Sequence, residues 1–84
     1  MPKQVILYTA PRCGDCDRLK SYMDRRGIAY ELRDIKANPQ YASELDEQTG
    51  KQGVPYVVVD GTWKRGYEPG RPYSDEFAAG LLGD

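Results

Sequence analysis

Val5-Ile6-Leu7-Tyr8-Thr9-Ala10-Pro11-Arg12-Cys13-Gly14-Asp15-Cys16 is the stretch that decides how this chain folds. Val5 to Tyr8 are β-branched, aliphatic and aromatic, and the run stops at Thr9-Ala10-Pro11, the pattern of a short buried strand entering a loop. From Cys16 onward, apolar side chains recur at Leu19, Tyr22 and Met23 with helical spacing, while Asp15, Asp17, Arg18, Lys20, Asp24 and Arg25 take the other faces. The cysteines therefore sit where a strand gives way to a helix. A disulfide between residues so close in sequence closes easily only across a bent backbone. The first turn of a helix supplies that bend together with a partial positive charge. The same charge favours a thiolate on Cys13, the attacking species in thiol–disulfide exchange, and Cys16 stands where it can resolve a mixed disulfide.

These are the only two cysteines among 84 residues, and there is no histidine. A structural disulfide and half of a metal site are the other readings of the pair. Zinc prefers four soft ligands, so here it would need two chains or borrowed thiols. A structural staple does not normally persist in a reducing cytosol, which favours a catalytic or metal role.

Working outward, Gly27 ends the first helix, and Ile28, Tyr30 and Leu32 then alternate with Ala29, Glu31 and Arg33 as a second strand. Asn38-Pro39 pairs a capping side chain with a proline at the first helical position. Tyr41, Ala42, Leu45 and Gln48-Thr49 mark a second helix ending at Gly50. After Gly53-Val54-Pro55, the run Tyr56-Val57-Val58-Val59 has the look of a strand buried on both faces. Asp60-Gly61 is a two-residue hairpin turn into Thr62-Trp63-Lys64. Phe77, Ala78, Leu81 and Leu82 give a short last helix behind Pro72 and Ser74. The order strand, helix, strand, helix, hairpin, helix predicts an α/β fold, βαβαββα, with a four-stranded mixed sheet and helices on both faces. The handedness rule makes the first two strands parallel neighbours.

The chain length suits one domain over residues 1–84. Twelve basic and 13 acidic residues, spread along the chain to a formal charge of −1, form no basic stripe, so nucleic acid is not an expected partner. No apolar run has the length to span a bilayer, and Met1-Pro2-Lys3-Gln4 lacks the pattern of a signal peptide. The expectation is a cytoplasmic monomer without a membrane or bound-cofactor role.

Three separated elements make the chain similar to the glutaredoxin and NrdH-redoxin group, the minimal form of the thioredoxin fold. The segment from Tyr8 to Cys16 resembles the family's strand-to-active-site stretch, with Cys13 as nucleophile and Cys16 as resolving cysteine. Gly53-Val54-Pro55 is similar to the Thr-Val-Pro element, whose proline is cis in the family; the resemblance implies that it turns the Val54 backbone toward the dithiol, where an extended substrate can pair with it. Trp63-Lys64-Arg65-Gly66-Tyr67-Glu68-Pro69 resembles the Trp-Ser-Gly-Phe-x-Pro stretch of NrdH-type redoxins, with one extra residue before the glycine.

The resemblance implies a thiol–disulfide oxidoreductase that is regenerated by glutathione or by a thioredoxin reductase using NADPH and flavin. Its substrates would be protein or low-molecular-weight disulfides, ribonucleotide reductase among them on the NrdH side. A glutathione-assisted iron–sulfur carrier, with Cys13 from two chains on one cluster, is the alternative. The implied substrate contacts are Arg12, Gln52, Val54, Pro55, Gly66, Tyr67 and Glu68. Two departures weaken a glutathione site. Ala10 stands where glutathione-using members commonly carry lysine, and Tyr67-Glu68-Pro69 stands where they carry an Asp-Asp pair. Glutathione has two carboxylates and an ammonium, and only Arg12, Lys51, Gln52 and Glu68 are at hand to receive them. Between the cysteines, Asp15 competes with a thiolate for the helix field, which makes Cys13 less acidic than in an otherwise equal dithiol, with Arg12 partly offsetting it. Tyr8 and Tyr67 are the tyrosines expected to border the site, and Trp63 is expected to cover the hairpin.

Overall fold

The computed structural model describes residues 4–68 and 70–83. Its elements are β1 (Val5–Thr9), α1 (Gly14–Arg25), β2 (Glu31–Asp34), α2 (Pro39–Thr49), β3 (Tyr56–Val59), β4 (Thr62–Arg65) and α3 (Asp75–Leu82). This is the order expected from the sequence. The strands form one sheet in the order β2-β1-β3-β4. Because α1 returns the chain across the sheet, β2 lies parallel to β1; β3 and β4 run antiparallel to their neighbours.

Local chemistry sets the boundaries. Cys13, Asn38 and Ser74 are in extended backbone, and each side chain accepts an amide hydrogen bond from the first turn of its helix. Asp60 and Gly61 both have positive φ, 50° and 85°, which gives the hairpin turn the twist its flanking strands need. No helix among the described residues is long and apolar enough to cross a membrane.

Alternation along β1 and β3 splits the interior in two. Val5, Leu7, Val57 and Val59 point to one face, where Leu19, Tyr22 and Met23 of α1 and Ala78 and Leu82 of α3 cover them. Tyr8 and Val58 point to the other face and meet Leu45 of α2, Ile35, Tyr41 and Trp63. The dithiol helix thus rests on the first of these two layers.

The second strand differs from its expectation. It begins only at Glu31; Ile28 and Tyr30 precede it and pack against the α1/α3 cluster from the connecting loop. Leu32 is 47% exposed. Its register partner is Leu7, so both face the same way, but β2 is the edge strand and its outer flank extends past the helical cover.

Candidate active site

Cys13 is the N-cap of α1, with φ −106° and ψ 102°, and its Sγ accepts the Cys16 N–H at 3.1 Å. The helix itself starts at Gly14, earlier than its apolar periodicity indicates. Cys13 and Cys16 are joined as a disulfide with their Cα atoms 5.2 Å apart, the reach expected of such a bridge. The two sulfurs have unequal surroundings. Cys13 is half-buried, whereas Cys16 is 0% exposed and shares the inner face of α1 with Leu19, Tyr22 and Met23. A solvent-reachable sulfur at a helix N-terminus, receiving an amide hydrogen bond, has its thiolate stabilised. A buried sulfur beside it is shielded from outside reagents.

Arg12 leads into the cap in left-handed backbone, φ 61°, and is exposed. Asp15 is bonded to Arg18 at 2.7 Å, and Arg18 also covers Gly14. The cation bonded to Asp15 is Arg18, one helical turn on. From the sequence Arg18, like Arg12, reads as a cation able to steer anionic substrates, and its spacing of three from Asp15 is the signal that pairs them.

Register brings the second element to the dithiol. Tyr8 pairs with Tyr56, so the segment before β3 lies beside the loop that leaves β1. Within that segment the Val54–Pro55 bond is cis, as the resemblance implies. Pro55 is fully buried, and Val54 packs on the cluster containing Tyr8. Gly66 continues the β3–β4 ladder by donating its N–H to the Pro55 carbonyl at 3.0 Å. A side chain at Gly66 would stand 2.9 Å from that oxygen, so only glycine lets the two loops close on each other. At Gly53 a Cβ would be 2.7 Å from the Tyr67 hydroxyl, the far end of a side chain, so a residue there would have to displace that ring.

A cleft of about 280 Å³ runs from Asp15 along Gly66, Tyr67 and Glu68 to the start of α3, where Tyr73, Ser74 and Phe77 close it. Three carboxylates, Asp15, Glu68 and Glu76, face it with one guanidinium, Arg71, which pairs with Glu68 at 3.4 Å. Tyr73 donates its hydroxyl to Asp75, and burial followed by that bond pushes its pKa up to about 12, so it stays a neutral phenol. Of the implied substrate contacts, Gly66, Tyr67 and Glu68 line the cleft, with Pro55 directly beneath Gly66. Arg12 and Gln52 are exposed and do not line it. Pro69 lies outside the described residues.

Tyr8 does not border the site. It lies on the α2 face, stacked on Trp63 at 5.1 Å between ring centres, and its hydroxyl meets Arg33 and Glu44. Position 8 of the strand has the opposite parity to Leu7 and Thr9, which takes it away from α1. Trp63 has the packing role expected of it. Burial is the main cause that raises the Tyr8 pKa; the Arg33 charge, opposed by its own burial, is held by Glu31 and Tyr8. The residues that close the cleft at its α3 end, Tyr73 and Phe77 among them, are not placed there by the sequence. Tyr73 forms cleft wall, and Pro72-Tyr73-Ser74 ahead of a capped helix was the signal for it. Thr9, 3% exposed at the end of β1, has among the described residues the one buried side-chain oxygen or nitrogen without a hydrogen-bond partner.

A parallel-antiparallel sheet of this order, with a dithiol at the first strand-to-helix turn and a cis-proline loop beside it, defines a thioredoxin-fold dithiol protein. The family model for glutaredoxin matches residues 5–63. The chain belongs to the glutaredoxin family. Among proteins it is similar to, the Gene 56 protein of Mycobacterium phage L5 is 34% identical over 67 residues, covering 77% of this chain and 64% of that one. Glutaredoxin 3 of Escherichia coli is 27% identical over 56 residues, covering 67% of this chain and 68% of that protein. The chain spans less than two thirds of the length of the mycobacteriophage proteins it matches, 62% and 64%. The solved structure of NrdH-redoxin from Escherichia coli superposes with a TM-score of 0.68 at 25% identity, over 84% of this chain and 99% of that one.

Proposed function

We propose that this chain is a single-domain, monomeric dithiol–disulfide oxidoreductase of the cytoplasm that reduces protein or small disulfides through Cys13 and Cys16. The observation that carries this reading is the asymmetry of the pair: Cys13 is half-buried at the helix cap and accepts an amide hydrogen bond, while Cys16 is buried. In the reduced protein the Cys13 thiolate attacks one sulfur of a substrate disulfide. The substrate S–S bond breaks, a mixed disulfide forms, and the leaving thiolate takes a proton. Cys16 then loses its proton and attacks Cys13 Sγ, which expels the second substrate thiolate and closes the intramolecular disulfide. The substrate gains two electrons and two protons, and the protein is left oxidised. The cleft from Asp15 to Glu68, with Val54 and Pro55 behind it, receives the extended segment around the substrate disulfide, while Arg12 and Gln52 stand at its margins.

The oxidised pair must be reduced from outside. A thioredoxin reductase drawing on NADPH is the donor best supported, because Ala10 and Tyr67-Glu68 remove charges that a glutathione site uses. NrdH-redoxin, the structural neighbour, is also described as having a thioredoxin-like activity profile. On this reading ribonucleotide reductase is a candidate protein substrate.

Disulfide reduction measured with NADPH and thioredoxin reductase, beside NADPH with glutathione and glutathione reductase, tests the proposal. Turnover with the first couple, lost in Cys13→Ser and arrested as a trapped mixed disulfide in Cys16→Ser, is the expected result. Full turnover by Cys13→Ser contradicts the assignment, and turnover with glutathione alone contradicts the donor.

A further inference from the structure

Tyr67 is the one residue shared by two neighbouring cavities of opposite character. On one side is the cleft that begins at Asp15, faced by three carboxylates and one guanidinium. On the other is a notch of about 110 Å³ lined by Thr49, Lys51, Gly53, Tyr56, Arg65 and Tyr67, which has two cations and no carboxylate. The ring between them is held from three directions. Its hydroxyl lies over Gly53, in space that any side chain there would need. The Arg65 guanidinium lies 5.4 Å from the ring centre, within range of a cation–π contact. Its backbone follows Gly66, which is bonded to the Pro55 carbonyl.

We infer that Tyr67 is a specificity-determining residue, a partition that keeps the Lys51 and Arg65 cations away from a ligand whose sulfur stands at the dithiol. The inference rests on the oxidoreductase reading and names its substrate class. A small thiol bearing carboxylates, such as glutathione, gains affinity only if its anionic end meets a fixed cation while its sulfur meets Cys13. With the ring in place, the cleft that begins beside the dithiol at Asp15 and the notch that holds the cations are separated at the wall they share, Tyr67. A polypeptide disulfide does not depend on that contact, because it lies along the cleft and pairs through its backbone. The partition therefore biases the site toward disulfides within polypeptides. Gly53, where relatives of the resembling family carry threonine, is the complementary half: its missing side chain is the room that the Tyr67 hydroxyl occupies.

The test is a titration of the disulfide form with S-methylglutathione, a redox-inert thioether, read by amide chemical shifts. The expected result is weak binding by the wild type and about tenfold tighter binding by Tyr67→Ala, the gain of one charge-assisted contact. That gain disappears in Tyr67→Ala combined with Lys51→Gln and Arg65→Gln, and Tyr67→Phe, which keeps the ring, binds as weakly as the wild type. Tyr67→Leu carries the same expectation should the alanine variant fail to fold. Equal affinity in wild type and Tyr67→Ala, or a gain that survives when Lys51→Gln and Arg65→Gln are added together, overturns the inference. Because the probe undergoes no exchange, the outcome is independent of turnover. Absence of Cys13-dependent turnover would sink the oxidoreductase reading and leave the binding result standing.

Discussion

The two faces of the sheet are built differently although the same two strands supply both. On the α1/α3 face the buried side chains are almost wholly aliphatic, with Leu7, Leu19, Met23, Val57 and Leu82 closing on one another. On the α2 face the layer is aromatic and ionic. Tyr8 stacks on Trp63, and the half-buried Arg33 binds the Tyr8 hydroxyl at 2.8 Å and Glu44 at 3.1 Å while lying over the Tyr41 ring. The dithiol stands on the first face and not the second. Helix α1 holds Cys16 in the same row as Leu19 and Met23, so dispersion and burial fix the resolving sulfur. The polar layer behind the sheet includes neither cysteine and meets the site's margin through Ala10 and Val54, which pack on it. Burial of the resolving sulfur should thus depend on one face, and stability on both.

Leu19→Ala should have the largest effect. Removing a wholly buried leucine costs about 3 kcal/mol, a fall in Tm of roughly 15 °C for a domain of this size. Cys16 should also become open to alkylation under native conditions after reduction. A variant that loses stability yet keeps Cys16 protected would break the link between this face and the site.

Arg33→Met tests the other face. Tyr8 and Glu44 lose their shared partner, at a cost of about 1–2 kcal/mol. Thermal unfolding should report that loss, while the rate of Cys13-dependent exchange stays at the wild-type value. A fall in exchange rate at constant fold would show that the faces are coupled.

Thr9→Val should run in the opposite direction. The hydroxyl is buried without a partner, so an isosteric methyl removes a desolvation cost and gains about 1 kcal/mol in urea unfolding. A loss of similar size would mean that the hydroxyl is satisfied by bound water.

Tyr73→Phe carries the smallest effect and appears only at high pH. Folding raises the phenol from 10.0 to about 12. Its contribution is present in full below pH 10 and is lost as pH rises toward 12, because the unfolded chain releases the proton first. The variant should therefore unfold at a higher alkaline midpoint than the wild type, followed by circular dichroism. An unchanged midpoint would remove Tyr73 as an alkaline trigger.

The strand-to-helix turn was readable because several local signals agree there: an apolar run, a proline stop, a cysteine able to cap, and helical periodicity after it. The hairpin was readable for the same reason at Asp60-Gly61. Ile28 and Tyr30 fall before the second strand, although Leu32 lies in it, because alternation shows which side a residue points to and not where strand pairing begins. Tyr8 was drawn to the site by sequence proximity to Cys13, whereas strand parity sends it to the far face. The Asp15–Arg18 pair and the fit of Tyr67 over Gly53 depend on side-chain placement across turns and loops, which spacing alone hints at in the first case and omits in the second. Cys13, Cys16, Pro55 and Gly66 were legible because each sits in a motif with its own backbone requirement. The cleft wall at Tyr73 and Phe77 comes from the far end of the chain and needs the fold to bring it in.

Alkylation of the reduced protein with iodoacetamide across a pH series, with each modified cysteine identified by mass, tests the central claim most directly. The account predicts that Cys13 alone reacts in the native state, with an apparent pKa below the ordinary thiol value of about 8.5, and that Cys16 reacts only on unfolding. Equal reactivity of the two cysteines, or Cys16 reacting first, would contradict it.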